Sequence, residues 1–183
     1  MDCNEFCVNV RKTSPEERKE GQRQTQLLFQ INHTMPLTEK YNHLIRDLFG
    51  NNLGEGSRIT PPLNGACIRS MKIGKNVLIN SNLLAMARGG IVIEDNAMIA
   101  ANVQIITNNH DPYDLWILPC KQVLIKEYAW IGAGATVLPG VCIGRHKYQY
   151  VKYYTVFQEL FCRTLGNTTT YKHQVAHWWC QRT

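Results

Sequence analysis

A mainly β fold, a parallel β-helix with a small helical cap at its N-terminus, is what three features of this 183-residue sequence predict. Aliphatic residues return every six positions through the middle of the chain. Glycines and asparagines stand between them where a chain must turn. Helical spacing of apolar residues is confined to a stretch ahead of that repeat.

Residues 1–13 contain no apolar run, Met1–Val10 being broken by Asp2, Asn4 and Glu5. They are expected to be disordered or extended, and neither a signal peptide nor a membrane span is expected there. The helical cap is expected over 14–57. Ser14-Pro15-Glu16-Glu17 supplies an N-cap hydroxyl, a proline suited to the first helical turn and a capping-box glutamate. Thr38 is placed to cap a second helix, in which Tyr41, Leu44, Ile45 and Leu48 fall on one stripe before Gly50 stops it. Asn51–Ser57, rich in glycine and asparagine, reads as a linker.

The β-helix is expected over 58–146. Ile73 and Ile79, then Ile93, Ile99 and Ile105, then Ile125, Ile131, Val137 and Ile143 keep six-residue steps. Val77, Leu83, Ala97, Val103, Ala129, Ala135 and Val141 each follow four residues after one of these positions. A period of six matches neither a helix nor a flat strand pair. It matches a solenoid of three short faces per coil, each unit sending an aliphatic side chain inward and then turning a corner. Glycine and asparagine suit those corners because positive φ is cheap only there.

The phase slips twice. Ile73 to Ile93 spans 20 residues, two more than three units, and the excess is placed near Arg88-Gly89-Gly90. Ile105 to Ile125 spans another 20 where six would do, so a loop over 108–121 must leave the coil. Long excursions from rigid scaffolds are where function concentrates. This one opens Asn108-Asn109-His110-Asp111-Pro112.

Charge and cysteine usage exclude several classes. The chain has a net charge of +6, but residues 145–183 hold six cations against Glu159 alone, leaving the rest near neutral. A basic tail of that kind does not make a nucleic-acid surface, so no nucleic-acid partner is expected. Seven scattered cysteines without a CxxC pair support neither a zinc ribbon nor a disulfide framework, and a cytoplasmic location is the expectation. His173, His177 and Cys180 have helix-compatible spacing but no fourth ligand nearby, and no metal is expected.

His110 is the candidate catalytic residue. Imidazole, titrating ordinarily near ~6.5, is the side chain best matched to removing a proton from a hydroxyl near neutral pH. Residues 59–144 resemble the galactoside/maltose O-acetyltransferase family of hexapeptide-repeat enzymes. The resemblance is carried by Ile73-Gly74-Lys75-Asn76-Val77, by Ile93-Glu94-Asp95-Asn96, and by Asn109-His110-Asp111. Its most specific motif runs Trp130-Ile131-Gly132-Ala133-Gly134-Ala135-Thr136-Val137-Leu138-Pro139-Gly140-Val141.

The resemblance implies a left-handed coil and a homotrimer with active sites between neighbouring β-helices. It implies acetyl-CoA as acyl donor and a small hydroxyl compound such as a sugar as acceptor. By the same resemblance His110 is the general base, Asn80 and Arg88 face the acceptor, and Trp130 and Ala133 lie along the pantetheine arm of CoA. Two acceptor positions depart from the family, with Ala66 where a polar group is expected and Arg88 where sugar-acetylating members carry an acid. From about Lys147 the family pattern stops, and Val151 and Val156-Phe157 stand where CoA-contacting residues would be. Residues 147–183 are therefore read as an atypical tail, substituted or out of frame. The alternative reading is a degenerate trimeric scaffold that has lost CoA binding. A zinc carbonic anhydrase on the same architecture would need three converging histidines, and the coils supply His110 with no second histidine at a coil-related position.

Overall fold

The computed structural model describes residues 5–149. The first element among the described residues is a strand, β1 (Phe6–Asn9), followed by helices α1 (Pro15–Asn32) and α2 (Glu39–Phe49). Short strands then follow one another round the solenoid: β2 (Arg58–Ile59), β3 (Leu63–Ala66), β4 (Met71–Ile73), β5 (Leu78–Ile79), β6 (Leu83–Met86) and β7 (Ile91–Ile93). The upper coils are β8 (Met98–Ile99), β9 (Gln104–Ile106), β11 (Val123–Ile125), β12 (Trp130–Ile131), β13 (Thr136–Val137), β14 (Cys142–Ile143) and β15 (Tyr148–Gln149), with β10 (Ile117–Cys120) in the loop between β9 and β11.

These strands form three parallel sheets and a separate antiparallel pair. The first face is β2-β5-β8-β12-β15, the second β3-β6-β9-β13 and the third β4-β7-β11-β14. The architecture is a left-handed parallel β-helix. Register makes the hexad signal physical. Ile59, Ile79, Ile99 and Ile131 are direct partners up the first face. Ile73, Ile93, Ile125 and Ile143 do the same up the third. On the second face Ala85, Ile105 and Val137 form the column. All of them are buried, most of them completely. Stacking like on like leaves each aliphatic side chain surrounded by neighbours from its own coil and the adjacent ones, which is how so narrow a prism acquires a core.

Corners need left-handed backbone, and glycine and asparagine together provide most of it. Asn76, Asn82, Asn96 and Asn102 all have φ between 52° and 61°. The Asn82 amide donates to Asn102 Oδ1 at 2.7 Å, linking one corner to the next. Higher up the first of these columns the sequence departs from the rule. Tyr128 and His146 take the same conformation with φ of 57° and 53°, and their rings stack at 4.8 Å between centroids. The stacking offsets part of a strain that asparagine would not have carried.

The two phase slips meet in space. The first is a turn closed by Gly90 N–H to Ala87 O at 2.9 Å. Gly89 there donates to Thr107 Oγ1 at 2.7 Å, and Thr107 is the fully buried residue from which the loop departs. A Cβ on Gly89 would stand 2.6 Å from Thr107 O and 2.9 Å from Lys121 O, so only glycine fits under the root of the loop.

The coil reaches further at both ends than aliphatic spacing does. Leu53 already bridges to Ile73, and Gly54 N–H donates to Ile73 O at 2.8 Å. At the other end Tyr148–Gln149 pairs in parallel with Trp130–Ile131, beyond the 146 boundary expected from the repeat. Strand pairing uses backbone groups, which no side-chain pattern reports. Positions 150–183, including Val151, Val156, Phe157, His173, His177 and Cys180, lie outside the described residues.

The helical segment forms as its caps predict. Ser14 Oγ accepts from Glu17 N and Glu17 Oε2 accepts from Ser14 N, while Thr38 Oγ1 accepts from Tyr41 N. Leu28, Ile31, Tyr41, Leu44, Ile45, Leu48 and Phe49 join the same core as the coils. Asn32 hydrogen-bonds both ways with the backbone of Leu63, at 2.9 Å and 2.8 Å, which pairs part of the first edge of the second face. Tyr41, 3% exposed, donates its hydroxyl to Ile59 O at 2.8 Å. Burial pushes this phenol up from 10.0 to about 12. A raised phenol favours the folded state fully below pH 10, and that contribution is lost as pH rises toward 12. Tyr41→Phe should therefore cost about 0.5–1.5 kcal/mol at neutral pH and flatten the alkaline fall, as urea titrations at stepped pH would show.

Candidate active site

The loop at 108–121 is a built structure. Thr107 and Lys121 close its base, with Lys121 N–H donating to Thr107 O at 2.8 Å. Above that, Asn109 N–H donates to Pro119 O at 3.0 Å and Asp111 N–H to Ile117 O at 2.9 Å. The Asp111 side chain turns the tip by accepting from Tyr113 N and Asp114 N at 2.8 Å and 3.0 Å. The outer edge is covered by β1, which pairs antiparallel with β10 so that Phe6 faces Cys120 and Asn9 faces Ile117. The extended N-terminal segment thus adds a strand along the loop's own β10, a role its four-residue length did not advertise.

His110 is exposed on this loop. Its Nδ1 lies 2.5 Å from Leu115 O. A carbonyl oxygen only accepts, so the proton of the neutral ring is on Nδ1 and the lone pair is on Nε2. The ring is therefore oriented by backbone and in the tautomer that can take a proton from another molecule.

The other candidate residues fall into two groups. Arg88, half-buried, occupies the slip between β6 and β7, at the corner from which the loop leaves one coil above. Its positive charge acts on Cys120 of the loop, although burial dominates there and leaves the thiol raised. Asn80 and Ala133 are exposed at the corner between first and second faces, Asn80 with its Oδ1 accepting from Ser81 N at 2.8 Å. Half-buried Trp130 stands outward on the first face, above Met98 and Leu78, with Tyr148 edge-on to it at 5.7 Å. One chain accordingly brings His110 and Arg88 to one corner of the prism and Asn80, Trp130 and Ala133 to another.

At the third corner charges are internally paired. Glu94 Oε1 accepts from Lys126 Nζ at 2.8 Å and its Oε2 from Glu127 N at 3.2 Å. The Lys126 ammonium, foremost, holds the Glu94 carboxyl below its ordinary range. Arg145 pairs with Glu127. Among the described residues no three His, Cys, Asp or Glu side chains converge as a metal ion would require. None of the described helices is long and apolar enough to cross a membrane.

A three-faced coil of hexads carrying one histidine-bearing excursion defines a class of protein, and comparison with known proteins narrows it. No family model matches the chain. It is 30% identical over 138 residues to galactoside O-acetyltransferase of Escherichia coli (strain K12), covering 71% of this chain and 64% of that protein. It superposes with a TM-score of 0.71 on a hexapeptide-repeat acetyltransferase from Vibrio cholerae, at 28% identity, covering 76% of this chain and 81% of that one. It also superposes on a galactoside acetyltransferase in complex with coenzyme A, with a TM-score of 0.68 at 25% identity over 75% of this chain and 70% of that one. In sequence and in fold the chain is similar to the galactoside and maltose O-acetyltransferases, and its solenoid is that of the hexapeptide-repeat proteins. It spans just under two thirds of the length of the curated relatives it matches.

Proposed function

We propose that this protein moves an acetyl group from acetyl-CoA to a hydroxyl of a sugar or similar small acceptor, with His110 as general base. The observation that carries the reading is the Nδ1 hydrogen bond to Leu115 O, which leaves Nε2 able to accept a proton. The acceptor oxygen attacks the thioester carbonyl as its proton passes to Nε2. The tetrahedral intermediate then collapses, the carbon–sulfur bond breaks, and the CoA thiolate leaves as a thiol with the imidazolium proton. Proton transfer of this kind is worth about 10²–10⁴ in rate, and holding both substrates together supplies much of the remainder.

The two-corner division of candidate residues supports a homotrimer, because a cleft between adjacent protomers would join one chain's His110 and Arg88 to its neighbour's Asn80. In this reading Asn80 and Arg88 contact the acceptor, while Trp130 and Ala133 border the pantetheine arm. The reading involves no metal, and a cytoplasmic location fits both the donor and the unpaired thiols of Cys7, Cys67, Cys120 and Cys142. Incubation with acetyl-CoA and a panel of sugars and simple alcohols should release free thiol in proportion to acetylated acceptor. Absence of turnover with every acceptor counts against the activity. A thermal midpoint that rises with CoA separates an enzyme lacking its acceptor from a scaffold that has lost the CoA site, since only a ligand bound to the folded state raises it.

A further inference from the structure

We propose that Asp114 and Arg11 are positioning residues that hold the His110 ring in its base-competent tautomer through a single peptide plane, Leu115–Trp116. The proposal rests on His110 being the base. The carbonyl of that plane is the acceptor for His110 Nδ1. The N–H of the same plane donates to Asp114 Oδ1 at 3.1 Å. The other oxygen of that carboxylate, Oδ2, accepts from Arg11 Nη1 at 2.8 Å. A peptide unit is planar, so fixing its N–H fixes the direction of its C=O.

Tyr113, Leu115 and Trp116 are 97%, 65% and 54% exposed, so apolar burial does not hold the backbone there. The plane is held by polar contacts instead, its N–H by the Asp114 carboxylate and that carboxylate by Arg11 of the N-terminal segment. The N-terminal segment also fixes the next plane, Trp116–Ile117, where Val10 N–H donates to Trp116 O at 3.0 Å, and the Arg11 guanidinium lies 5.4 Å from the centre of the Trp116 ring. β1 anchors Arg11 by pairing along β10, and Glu5 pairs with Lys121 at the loop base at 3.0 Å. Exposed ion pairs add little to folding. The contribution expected of Arg11 is therefore to the orientation of one ring.

The test uses the full chain with nitrogen-15 in its histidines, under conditions where the ring is neutral, the His110 signal being assigned by its absence in His110→Gln. In the wild type it should report the Nδ1–H tautomer. Asp114→Ala and Arg11→Ala should move it toward Nε2–H, and Arg11→Lys should restore part of the original signal. With an accepted hydroxyl substrate, kcat should fall about 10-fold in Arg11→Ala and up to roughly 10²-fold in Asp114→Ala, with KM for acetyl-CoA unchanged. A tautomer unmoved in both alanine variants overturns the proposal, whatever happens to the rate. Failure of the wild type to turn over any acceptor rejects the proposed activity instead, and the tautomer measurement still decides the role of the two residues.

Discussion

Replacing His110 with alanine should lower acetyl transfer about 10²–10⁴-fold while leaving the protein folded. Both halves of that expectation come from the site. The imidazole is exposed and its contacts are local, one to Leu115 O and a backbone bond from His110 N to Asn109 Oδ1 that alanine retains. No core side chain loses a neighbour, and the coils that carry the loop are untouched. Thiol release from acetyl-CoA measures the first half and a melting curve the second. Equal slow turnover in the two proteins would mean that binding alone supplies the acceleration, and that His110 serves only the loop.

The largest effect on stability is expected at Ile99. It is 1% exposed and lies between Ile79 below and Ile131 above, so truncation opens a gap in the column. Ile99→Ala should cost about 2–5 kcal/mol, the transfer of the lost carbons adding to an incompletely collapsed cavity. Gln104→Ala, five residues on and facing outward, should stay within about 0.5 kcal/mol. Urea unfolding of the two variants gives the comparison directly. A second truncation at Ile79 should cost a different amount in Ile99→Ala than alone, because the two vacancies are adjacent and share walls. Strictly additive losses would show that the column does not behave as one packed unit.

Why the coil was legible before its structure is clear from those same residues. Each hexad commits one side chain to the interior, so the sequence records the columns position by position. Ser14 and Thr38 were equally legible, because a cap is a local interaction between residues three apart. The loop announced itself as a missing phase, and His110 as an imidazole within it. What could not be read depends on distant partners. Arg11 and Asp114 are separated by 103 residues, and neither lies in a repeat. The strand Phe6–Asn9 is defined by its partner Ile117–Cys120 and has no pattern of its own. The left-handed Tyr128 and His146 break the asparagine habit, and only the stacking of one ring on the other accounts for them. Position 146 was likewise a boundary of aliphatic spacing, which backbone pairing at Tyr148–Gln149 does not respect.

The hydrogen bond between Lys121 N and Thr107 O pinches the excursion shut at its neck, so β9 and β11 succeed one another as if nothing intervened. Everything beyond the neck is thereby a cassette. Its length and chemistry are free to vary while the prism beneath stays unaltered, because each doubling of the insert adds only ~0.6 kcal/mol of closure entropy. A solenoid assembled this way can exchange its outer loop without relearning how to fold.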